Sequence, residues 1–402
     1  MRPRRTQISS LLLLCLMSLM AVPASALRQY RNPVPGRFPI LAWYSIMPDS
    51  ALTRERYLEM ADCGFNISFS HIFQLSSMKR ALNACRGTGV TQMVTGQLVG
   101  ELKGDSMVSG WFLQDEPPCA GFPALREFRD QVLAEDTTRV IYLNLLPNYV
   151  APEALGTTSY REYLERFTRE VDLGLISYDN YPIVMSGDSL MVKPQFYGNL
   201  EDALAVSRSS GQPFWAFALT TAHGDYPVAT SDILHLEVFS NLAYGAQGIQ
   251  YFTYWNPGNQ GTWNFHTAPI SLDGQRTHVW YLLRDINREI QALTPVFLGA
   301  KVVSVGHTGA VLPVQTHRLT HLPAPFHSVE ASGQGVLVSH LQNGKAHYLL
   351  ILNRDINHAQ TVTVKRSRGL CRILSCGCQV KDHARQDTFS LRPGHYLLFG
   401  WK

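Results

Sequence analysis

The 402-residue sequence predicts a (β/α)8 barrel followed by an antiparallel β-sandwich, on three observations. Between Phe38 and Trp255, a short apolar β-rich run, a loop and a stretch with helical apolar spacing recur in turn. The repeat supplies eight apolar runs, which is the strand number of such a barrel. From Pro295 onward the pattern changes to short alternating runs separated by turn residues, which is typical of antiparallel sheets.

The predicted barrel strands follow one another along the chain without a break in the pattern. They cover 39–44, 65–71, 92–98, 108–115, 139–146, 173–178, 213–219 and 248–254. Helical stretches lie between them, for example at 123–135, 159–171 and 231–244, and 278–293 reads as the closing helix. Since no Gly-x-Gly-x-x-Gly turn follows the first strand, a doubly wound open sheet is the weaker alternative.

The C-terminal region, 295–402, is predicted as a separate β-sandwich domain behind a barrel domain at 27–294. Its predicted strands include 335–341, 347–353, 360–365 and 395–398, with an Asn343-Gly344 turn between the first two. We expect this domain to brace the barrel, and sugar binding is the alternative role.

The N-terminus predicts a secretory signal peptide over residues 1–26. Three arginines precede an apolar run at 11–22, and Ala24-Ser25-Ala26 fits a cleavage site. The apolar run is too short to span a bilayer. We therefore expect a secreted or periplasmic protein without a membrane anchor.

Composition narrows the partners and the cofactors. The net charge is +4, charged residues make up 16% of the chain and no basic cluster follows the signal, so nucleic acid is not an expected partner. No histidine pair has metal spacing beside an acid, and we expect neither a metal nor another cofactor. An even number of cysteines in an exported protein predicts disulfides, with Cys63–Cys85 and pairs within 371–378 as candidates. The six are Cys63, Cys85, Cys119, Cys371, Cys376 and Cys378.

The segment at 110–118, which reads GWFLQDEPP, carries the strongest chemical signal. The fourth predicted strand ends in Asp115 and Glu116, and two prolines prevent its continuation. Active sites of such barrels lie at the C-terminal ends of the strands. Glu116 is therefore the candidate proton donor, with a pKa that apolar walls and Asp115 would raise. The alternative is a loop carboxylate that caps the helix beginning near Pro123.

An Asp-Glu-Pro at the end of strand four, with aromatic strand ends, resembles retaining glycoside hydrolases of the clan that includes family 42 β-galactosidases. The resemblance implies a glycosidase in which Glu116 is the acid/base. Those families carry Asn-Glu-Pro at strand four and a glutamate nucleophile at the end of strand seven. Here strand seven reads FWAFALTTAH at 214–223 and ends without a carboxylate, and Asp225 is the nearest acid.

Strand six ends in ISYDNYP at 176–182, and its Ser-Tyr-Asp is similar to the strand-six signature of family 18. The adjacent acids at strand four are similar to families 20 and 123. In those enzymes the 2-acetamido group of the substrate is the nucleophile. The resemblance implies that Asp115 orients this group, Glu116 protonates the leaving oxygen, and Tyr178 or Tyr181 contacts the amide.

Asp179 has three interpretations: a displaced nucleophile, a polar contact to the sugar, or a structural residue of the turn. A direct nucleophile would require about 5–5.5 Å between the Glu116 and Asp179 carboxyls, and inversion about 6.5–9.5 Å.

Polar and aromatic residues at the remaining strand ends predict a sugar-binding wall, since aromatic faces pack on pyranose C–H faces. Ordinary core packing is the alternative, and for Trp215 the two weigh equally. His223 and His266 read as solvated loop residues. The predicted substrate contacts are Trp43, His71, Asn144, Tyr178, Tyr181, Tyr254 and Trp255.

Together these patterns predict a secreted or periplasmic glycoside hydrolase that cleaves an extracytoplasmic oligo- or polysaccharide. Glu116 is the predicted general acid/base, Asp115 and Asp179 support the anomeric carbon or its neighbouring group, and substrate assistance by a 2-acetamido group is one route. Hexosaminides and galactosides both remain open as substrates. The alternative is a non-catalytic carbohydrate-binding protein on a degenerate barrel, which the missing strand-seven acid favours.

Overall fold

The structure, a computed structural model, describes residues 28–402. The predicted signal segment at 1–26 lies outside the described residues. Eight parallel strands form the barrel sheet, and each overlaps one of the predicted runs. They are β1 (Ile40–Trp43), β2 (Ile67–Phe69), β3 (Thr91–Thr95), β4 (Val108–Asp115), β5 (Val140–Asn144), β6 (Ile176–Tyr178), β7 (Phe214–Leu219) and β8 (Ile249–Phe252).

The sheet closes on itself. Its hydrogen-bonded order is β5-β4-β3-β2-β1-β8-β7-β6, and a parallel bridge between Leu145 and Tyr178 joins the two outer strands. The Leu145 N–H donates to the Ser177 carbonyl at 2.8 Å across this junction. The predicted (β/α)8 barrel is confirmed.

Helices follow every barrel strand. Three of them begin at side-chain caps that the sequence supplies: Ser159, Thr230 and Thr277 each accept a hydrogen bond from a backbone N–H of the following turn. The helices are α1 (Arg54–Asp62), α2 (Leu75–Cys85), α3 (Val99–Leu102), α4 (Phe122–Glu135), α5 (Pro152–Leu155), α6 (Tyr160–Glu170), α7 (Phe196–Ser210), α8 (Ser231–Ala243), α9 (His278–Ala292) and α10 (Thr294–Phe297). Within the described residues, no helix combines the length and the apolar character that crossing a bilayer requires.

Two apolar cores share the barrel strands, because successive strand residues point to opposite faces. One core lies between the sheet and the helices, and the other fills the barrel interior. Trp215 belongs to the interior core and is fully buried, so core packing accounts for it. Gly248 makes room for it, since a Cβ there would lie 2.6 Å from the Trp215 ring.

The C-terminal part forms two antiparallel sheets around a core of their own. Their strands are β9 (Lys301–His307), β10 (Phe326–Ala331), β11 (Val336–Asn343), β12 (Ala346–Asn353), β13 (Gln360–Arg366), β14 (Leu370–Ile373), β15 (Gln379–Asp382), β16 (Gln386–Leu391) and β17 (Tyr396–Trp401). One sheet has the order β9-β11-β12-β17-β14-β15 and the other β10-β13-β16. A separate hairpin, Ile183–Ser186 with Ser189–Val192, follows β6.

The predicted disulfides are wrong for the described residues, where all six cysteines are free thiols. Cys63 directly follows the last residue of α1, Cys85 is the last residue of α2, and the two thiols contact different backbone carbonyls. The Cys63 Sγ lies 3.4 Å from the Trp280 carbonyl, and the Cys85 Sγ lies 3.3 Å from the Leu82 carbonyl. Cys376 and Cys378 share one turn, in which the Cys378 N–H donates to the Cys376 Sγ at 3.4 Å.

Candidate active site

A cavity of about 260 Å³ opens at the C-terminal ends of the barrel strands. It gathers carboxylates from the ends of β4 and β6, an amide from β5, and aromatic side chains from β1, β7, β8 and the loops that follow them. We call it the cleft. Its lining residues are Trp43, Asp115, Glu116, Asn144, Tyr149, Asp179, Tyr181, Phe217, His223, Tyr226, Phe252, Trp263 and Phe265.

Backbone geometry at the end of β4 fixes the two adjacent acids. Glu116 adopts a φ of +46°, a left-handed conformation that is costly for a residue with a Cβ and that clusters at functional sites. Its N–H donates to the Asn144 carbonyl at 2.8 Å. The following turn is held by the Tyr163 hydroxyl, which donates to the Pro117 carbonyl at 2.6 Å. The two carboxyl groups are thus held on a rigid turn.

The Glu116 and Asp179 carboxyls are hydrogen-bonded to each other. Burial raises the pKa of Glu116, partly offset by this hydrogen bond. Burial also raises the pKa of Asp179 well above its usual range, and the Glu116 charge adds to the effect. The Asn144 Nδ2 donates to the Asp179 Oδ1 at 2.8 Å and opposes that rise. The two carboxyls therefore titrate as a pair, and the pair keeps its last proton to a higher pH than isolated carboxyls would.

Asp115 is the third carboxyl of the cleft. Burial raises its pKa to about 7, the Glu116 charge contributes, and a hydrogen bond with Asn144 opposes the shift. Solvent reaches Asp115 and Glu116 through the cleft mouth, while protein atoms surround the rest of each group and limit its hydration. Asp115 can thus change charge in the physiological range.

A polar network beneath the cleft orients Asn144. The Ser177 hydroxyl donates to the Asn144 Oδ1 at 3.3 Å, and the Gln250 Nε2 donates to the Ser177 Oγ at 2.8 Å. The Tyr142 hydroxyl donates to the Gln250 Oε1 and completes the chain. Since the side-chain oxygen of Asn144, Oδ1, accepts the hydrogen bond from Ser177, the side-chain NH₂ group points at Asp179. Neither Ser177 nor Gln250 was predicted as a supporting residue.

Aromatic rings form the walls of the cleft. Trp43 packs edge-on against Phe217, with ring centroids 5.4 Å apart, and Tyr181 packs against Phe252 at 5.8 Å. At the mouth Trp263 is 50% exposed and lies 6.2 Å from Phe265 in a stacked arrangement. An accessible indole face of this kind suits the C–H face of a sugar ring.

Four of the seven predicted substrate contacts do not line the cleft. His71 is half-buried among Trp43, Tyr44 and Phe112, beside the cleft but behind its wall. The other three are buried in the layer between the sheet and the helices, and they are Tyr178, Tyr254 and Trp255.

Strand alternation and local partners explain these three positions. Tyr178 follows the inward-facing Ser177 and precedes Asp179 of the cleft, so it points outward and stacks on Phe214 at 6.1 Å. The Tyr254 hydroxyl accepts a hydrogen bond from the Trp280 Nε1 at 3.3 Å. Trp255 lies under the Arg56 guanidinium at 5.1 Å. The structure brings together Trp43, Asp115, Glu116, Asn144, Asp179 and Tyr181.

His223 corrects the interpretation of a solvated loop histidine. It is 5% exposed and packs against Tyr226 and Phe265, each at 4.8 Å between centroids. Its Nδ1 lies 2.8 Å from the Thr221 carbonyl, which can only accept, so Nδ1 carries the proton and Nε2 is left as an acceptor. Burial lowers its pKa and favours this neutral form. The position of His223, four residues after β7, was the signal available in the sequence.

The end of β7 brings no carboxylate to the cleft. Asp225, the nearest acid in the sequence, is an exposed residue of the turn between His223 and Tyr226 and does not line the cavity. The Tyr149, Tyr226, Trp263 and Phe265 side chains, which the sequence reasoning missed, come from loops. Their chain segments carry no strand pattern, and only the fold brings them to the barrel mouth.

Comparison with known proteins matches residues 145–293 to the glycoside hydrolase family 42 model, described as beta-galactosidase. No curated protein matches the chain. Among solved structures, a family 42 β-galactosidase from G. stearothermophilus is 8% identical with a TM-score of 0.61, over 92% of this chain and 99% of that one. The β-galactosidase from Bacillus circulans sp. alkalophilus is 10% identical with a TM-score of 0.58, over 90% and 99%.

The chain covers 60% of the β-galactosidase from Marinomonas ef1 and 59% of that from Halorubrum lacusprofundi. Identities of 8 to 10% establish the fold alone, while the family model matches less than half of the sequence. The sequence match begins after β5 and covers α5, α6, β6 to β8 and the helices that follow them, so it includes three of the eight barrel strands. The chain forms a (β/α)8 barrel with a β-rich C-terminal domain, and residues 145–293 resemble glycoside hydrolase family 42.

Proposed function

We propose that this protein is a glycosidase that acts on an extracytoplasmic oligo- or polysaccharide, with Glu116 as general acid/base and the 2-acetamido group of the substrate as nucleophile. The observation that carries the proposal is the hydrogen-bonded pair of Glu116 and Asp179, with Asp115 beside it and no other carboxylate among the residues of 28–402 that line the cleft. An exported location rests on the sequence of residues 1–26 alone. N-terminal sequencing of secreted material, expected to begin at Leu27, tests that part.

The proton donor is Glu116. Its raised pKa keeps the carboxyl protonated at a pH where an exposed glutamate would be charged, as a general acid requires. Asp179 shares the proton with Glu116, and because burial and the Glu116 charge raise the pKa of Asp179 well above its usual range, the pair keeps one proton to a higher pH than isolated carboxyls would. We assign Asp179 to this positioning role.

The hydrogen bond between the pair argues against Asp179 as a direct nucleophile. A retaining glycosidase separates its two carboxyls by about 5–5.5 Å, so that the sugar lies between them. Groups in hydrogen-bond contact leave no room for the anomeric carbon. The nucleophile must therefore come from another group, and the substrate can supply it.

In the proposed first step, Glu116 transfers its proton to the glycosidic oxygen while the C1–O bond breaks. The acetamido carbonyl oxygen forms a bond to C1, and Asp115 accepts a hydrogen bond from the amide N–H, which becomes acidic in the oxazolinium ion. The Tyr181 hydroxyl donates a hydrogen bond to the amide. In the second step water attacks C1, Glu116 takes the proton of the water, and the oxazolinium ring opens to restore the acetamido group.

The decisive experiment is a panel of aryl glycosides that compares N-acetyl-β-hexosaminides with β-galactosides. The wild type should hydrolyse the acetamido sugars, and Glu116→Gln should lower kcat by about 10²–10⁴-fold because proton transfer to the leaving group is lost. Asp225→Asn, which removes an exposed carboxylate outside the cleft, is the matched control and should leave kcat unchanged.

Unchanged hydrolysis by Glu116→Gln would reject the role of Glu116. Turnover of sugars that carry a free 2-hydroxyl, without inhibition by a thiazoline analogue of the oxazolinium ion, would reject substrate assistance. If the wild type binds sugars but hydrolyses none of the panel, the non-catalytic carbohydrate-binding protein becomes the better assignment.

Two tyrosines provide a matched pair for the amide contact. Tyr181→Phe should lower kcat/KM for acetamido substrates about tenfold, because one hydrogen bond to a charge-bearing group is lost. Tyr178→Phe removes a buried hydroxyl that has no partner among the described residues, and kcat/KM should stay at the wild-type level. Equal losses in both variants would contradict the assignment.

A further inference from the structure

A second cavity, of about 840 Å³, lies between the hairpin after β6 and the C-terminal domain. Lys193 and Pro194 border it on the barrel side, and Val311, Val314 and Arg354 border it on the other side. This volume is within the range of small-molecule sites, and it exceeds the volume of the cleft. We call it the interdomain cavity.

Arg354 places a buried cation at the interdomain cavity without a matching anion. The residue is 8% exposed, and its Nη2 donates to the Thr308 and Val311 carbonyls at 3.0 and 2.9 Å. Its Nε is buried and has no acceptor among residues 28–402. The neighbouring Asp355 turns instead to His358 and accepts from the Asn357 N–H. A buried charged donor without a partner is costly, and a ligand carboxylate would offset that cost.

Lys193 supplies a second cation and connects the interdomain cavity to the cleft. Its Nζ donates to the Tyr226 hydroxyl at 2.5 Å and lies 4.4 Å from the centre of the Tyr149 ring. Both tyrosines line the cleft, whereas Lys193 lines the interdomain cavity. No carboxylate of the described chain forms an ion pair with Lys193, which keeps two of its three N–H donors for other partners.

The remaining wall is apolar and open. Val311 is 80% exposed and Val314 is 55% exposed, both on the loop that faces the hairpin. An apolar wall with cationic groups beside it matches a sugar ring that carries a carboxylate. The ring can pack its C–H face on the valines while its carboxylate reaches the cations.

We propose that the interdomain cavity is a binding site for an acidic sugar unit, a uronic acid of a longer glycan whose neighbouring part reaches the cleft past Lys193. The carboxylate is received by Lys193 and Arg354. The inference rests on the proposed function only in that the ligand is a glycan, since binding here requires no hydrolysis.

The test measures binding of trigalacturonic acid and of its fully methyl-esterified form by isothermal titration calorimetry. The Glu116→Gln protein is used so that hydrolysis does not interfere. We expect the acid to bind at least about tenfold more tightly than the ester, because the ester lacks the charge that pairs with the two cations. Raising the salt concentration should weaken the binding of the acid and leave the binding of the ester unchanged.

Lys193→Met in the same background should lower the affinity for the acid about tenfold or more and leave that for the ester unchanged. Lys345→Met, the same substitution at an exposed turn of the C-terminal domain, is the control and should have no effect. Lys193 is preferred to Arg354 for this test, because Arg354 also holds backbone carbonyls of the cavity loop.

Equal affinities for acid and ester, no effect of Lys193→Met, or no binding of either probe would each overturn the proposal. The two proposals fail separately. Hydrolysis of neutral acetamido glycosides without binding of trigalacturonic acid rejects only the interdomain site. Lys193-dependent binding of the acid without hydrolysis of any glycoside rejects only the proposed function.

Discussion

At the scale of single residues, the contact between Glu116 and Asp179 carries the chemistry that we propose for the cleft. Their carboxyls are hydrogen-bonded, so they titrate as a pair, and the proton that they share is lost only at raised pH. Asn144 directs Asp179 by a 2.8 Å hydrogen bond, and the left-handed backbone of Glu116 sets the angle of its side chain. The pair resembles a tuned proton donor more than two carboxylates on opposite faces of a sugar.

Asp179→Asn should move the basic limb of the pH profile of kcat to lower pH. In the wild type the pair loses its last proton only when a second negative charge forms beside the first, and this repulsion by the Glu116 charge raises the pKa of Asp179. An amide at position 179 removes the repulsion and can donate a hydrogen bond to the Glu116 carboxylate. The Glu116 pKa therefore falls, and the acid is lost at a lower pH. The check is kcat measured from pH 4 to 9.

We expect the ionisation of Asp115 to set the acidic limb of the same pH profile of kcat. Because its pKa is about 7, the ionised form that orients the amide is lost as pH falls below that value, in both wild type and Asp179→Asn. Asp225→Asn should reproduce the wild-type profile on both limbs. A basic limb that stays in place in Asp179→Asn would show that the pair does not control the proton donor.

At the scale of elements, the contact between β7 and α8 bears on why no acid enters the cleft from the end of β7. The last N–H of β7, that of Leu219, donates to the Glu237 Oε2 of α8 at 2.7 Å. Glu237 is fully enclosed between strand and helix, and burial raises its pKa to about 8, partly offset by the Leu219 hydrogen bond. The Glu237 carboxyl, which contacts the last residue of β7, therefore serves the packing of α8 and does not line the cleft.

Glu237→Gln should change how stability depends on pH. The folded state holds the Glu237 proton up to about pH 8, whereas the unfolded chain releases it near 4.5. The proton therefore contributes stability that is complete below pH 4.5 and is lost as pH rises to about 8. Between pH 4.5 and 7 the wild type should lose on the order of 3 kcal/mol of unfolding free energy relative to the variant. Urea unfolding at several pH values measures this difference.

Glutamine keeps a carbonyl oxygen for the Leu219 N–H, so the variant is expected to fold. Glu153→Gln, at an exposed position of α5, provides the control and should unfold in parallel with the wild type at every pH. Parallel curves for Glu237→Gln as well would mean that Glu237 is ionised in the folded protein.

At the scale of the whole molecule, the C-terminal sheets cover the part of the barrel that carries α8 and α10. The Ser339 hydroxyl of β11 donates to the Ala243 carbonyl at the end of α8 at 2.6 Å. Asn343, also of β11, donates to the Leu298 and Pro295 carbonyls at 2.8 and 3.1 Å. Helix α8 is buried along nearly its whole length, because it packs on the barrel on one side and on the sandwich on the other. These contacts support the bracing role of the domain.

Asn343→Ala should lower the unfolding free energy by about 1–3 kcal/mol, since several helix-end carbonyls lose their shared donor. Thermal unfolding should show one transition at a lower Tm if the two domains unfold together. Lys345→Ala, in the exposed turn that follows, is the control and should not change Tm. A barrel transition unaffected by Asn343→Ala would show that the sheets do not brace it.

Local sequence patterns predicted the elements well, because burial of a strand or helix leaves a periodic trace in its own residues. The eight strands, the closing helix and the acids at the end of β4 were all accessible in this way. The direction in which a side chain points was harder to predict at strand ends, where a shift of one residue reverses that direction. Tyr178 points outward for this reason, while Tyr181, three residues later, reaches the cleft.

Contacts between residues that lie far apart in the sequence could not be predicted at all. The count of six cysteines predicted disulfides, yet Cys63 and Cys85 contact separate backbone carbonyls. Tyr226 carries no pattern that distinguishes a cleft residue from a loop residue, His223 offers only its position four residues after β7, and Ser177 and Gln250 look like ordinary strand residues. Their roles follow from neighbours that only the closed barrel provides.

The sequence by itself determined the barrel, the domain that follows it, and Asp115 with Glu116 at the end of β4, because each depends on residues close together in the chain. The tertiary structure decided the rest of the site. Closure between β5 and β6 brings Asp179 against Glu116, and packing of the C-terminal sheets against the hairpin creates the interdomain cavity. These features depend on distances between remote segments, and such distances are set by how the whole chain packs.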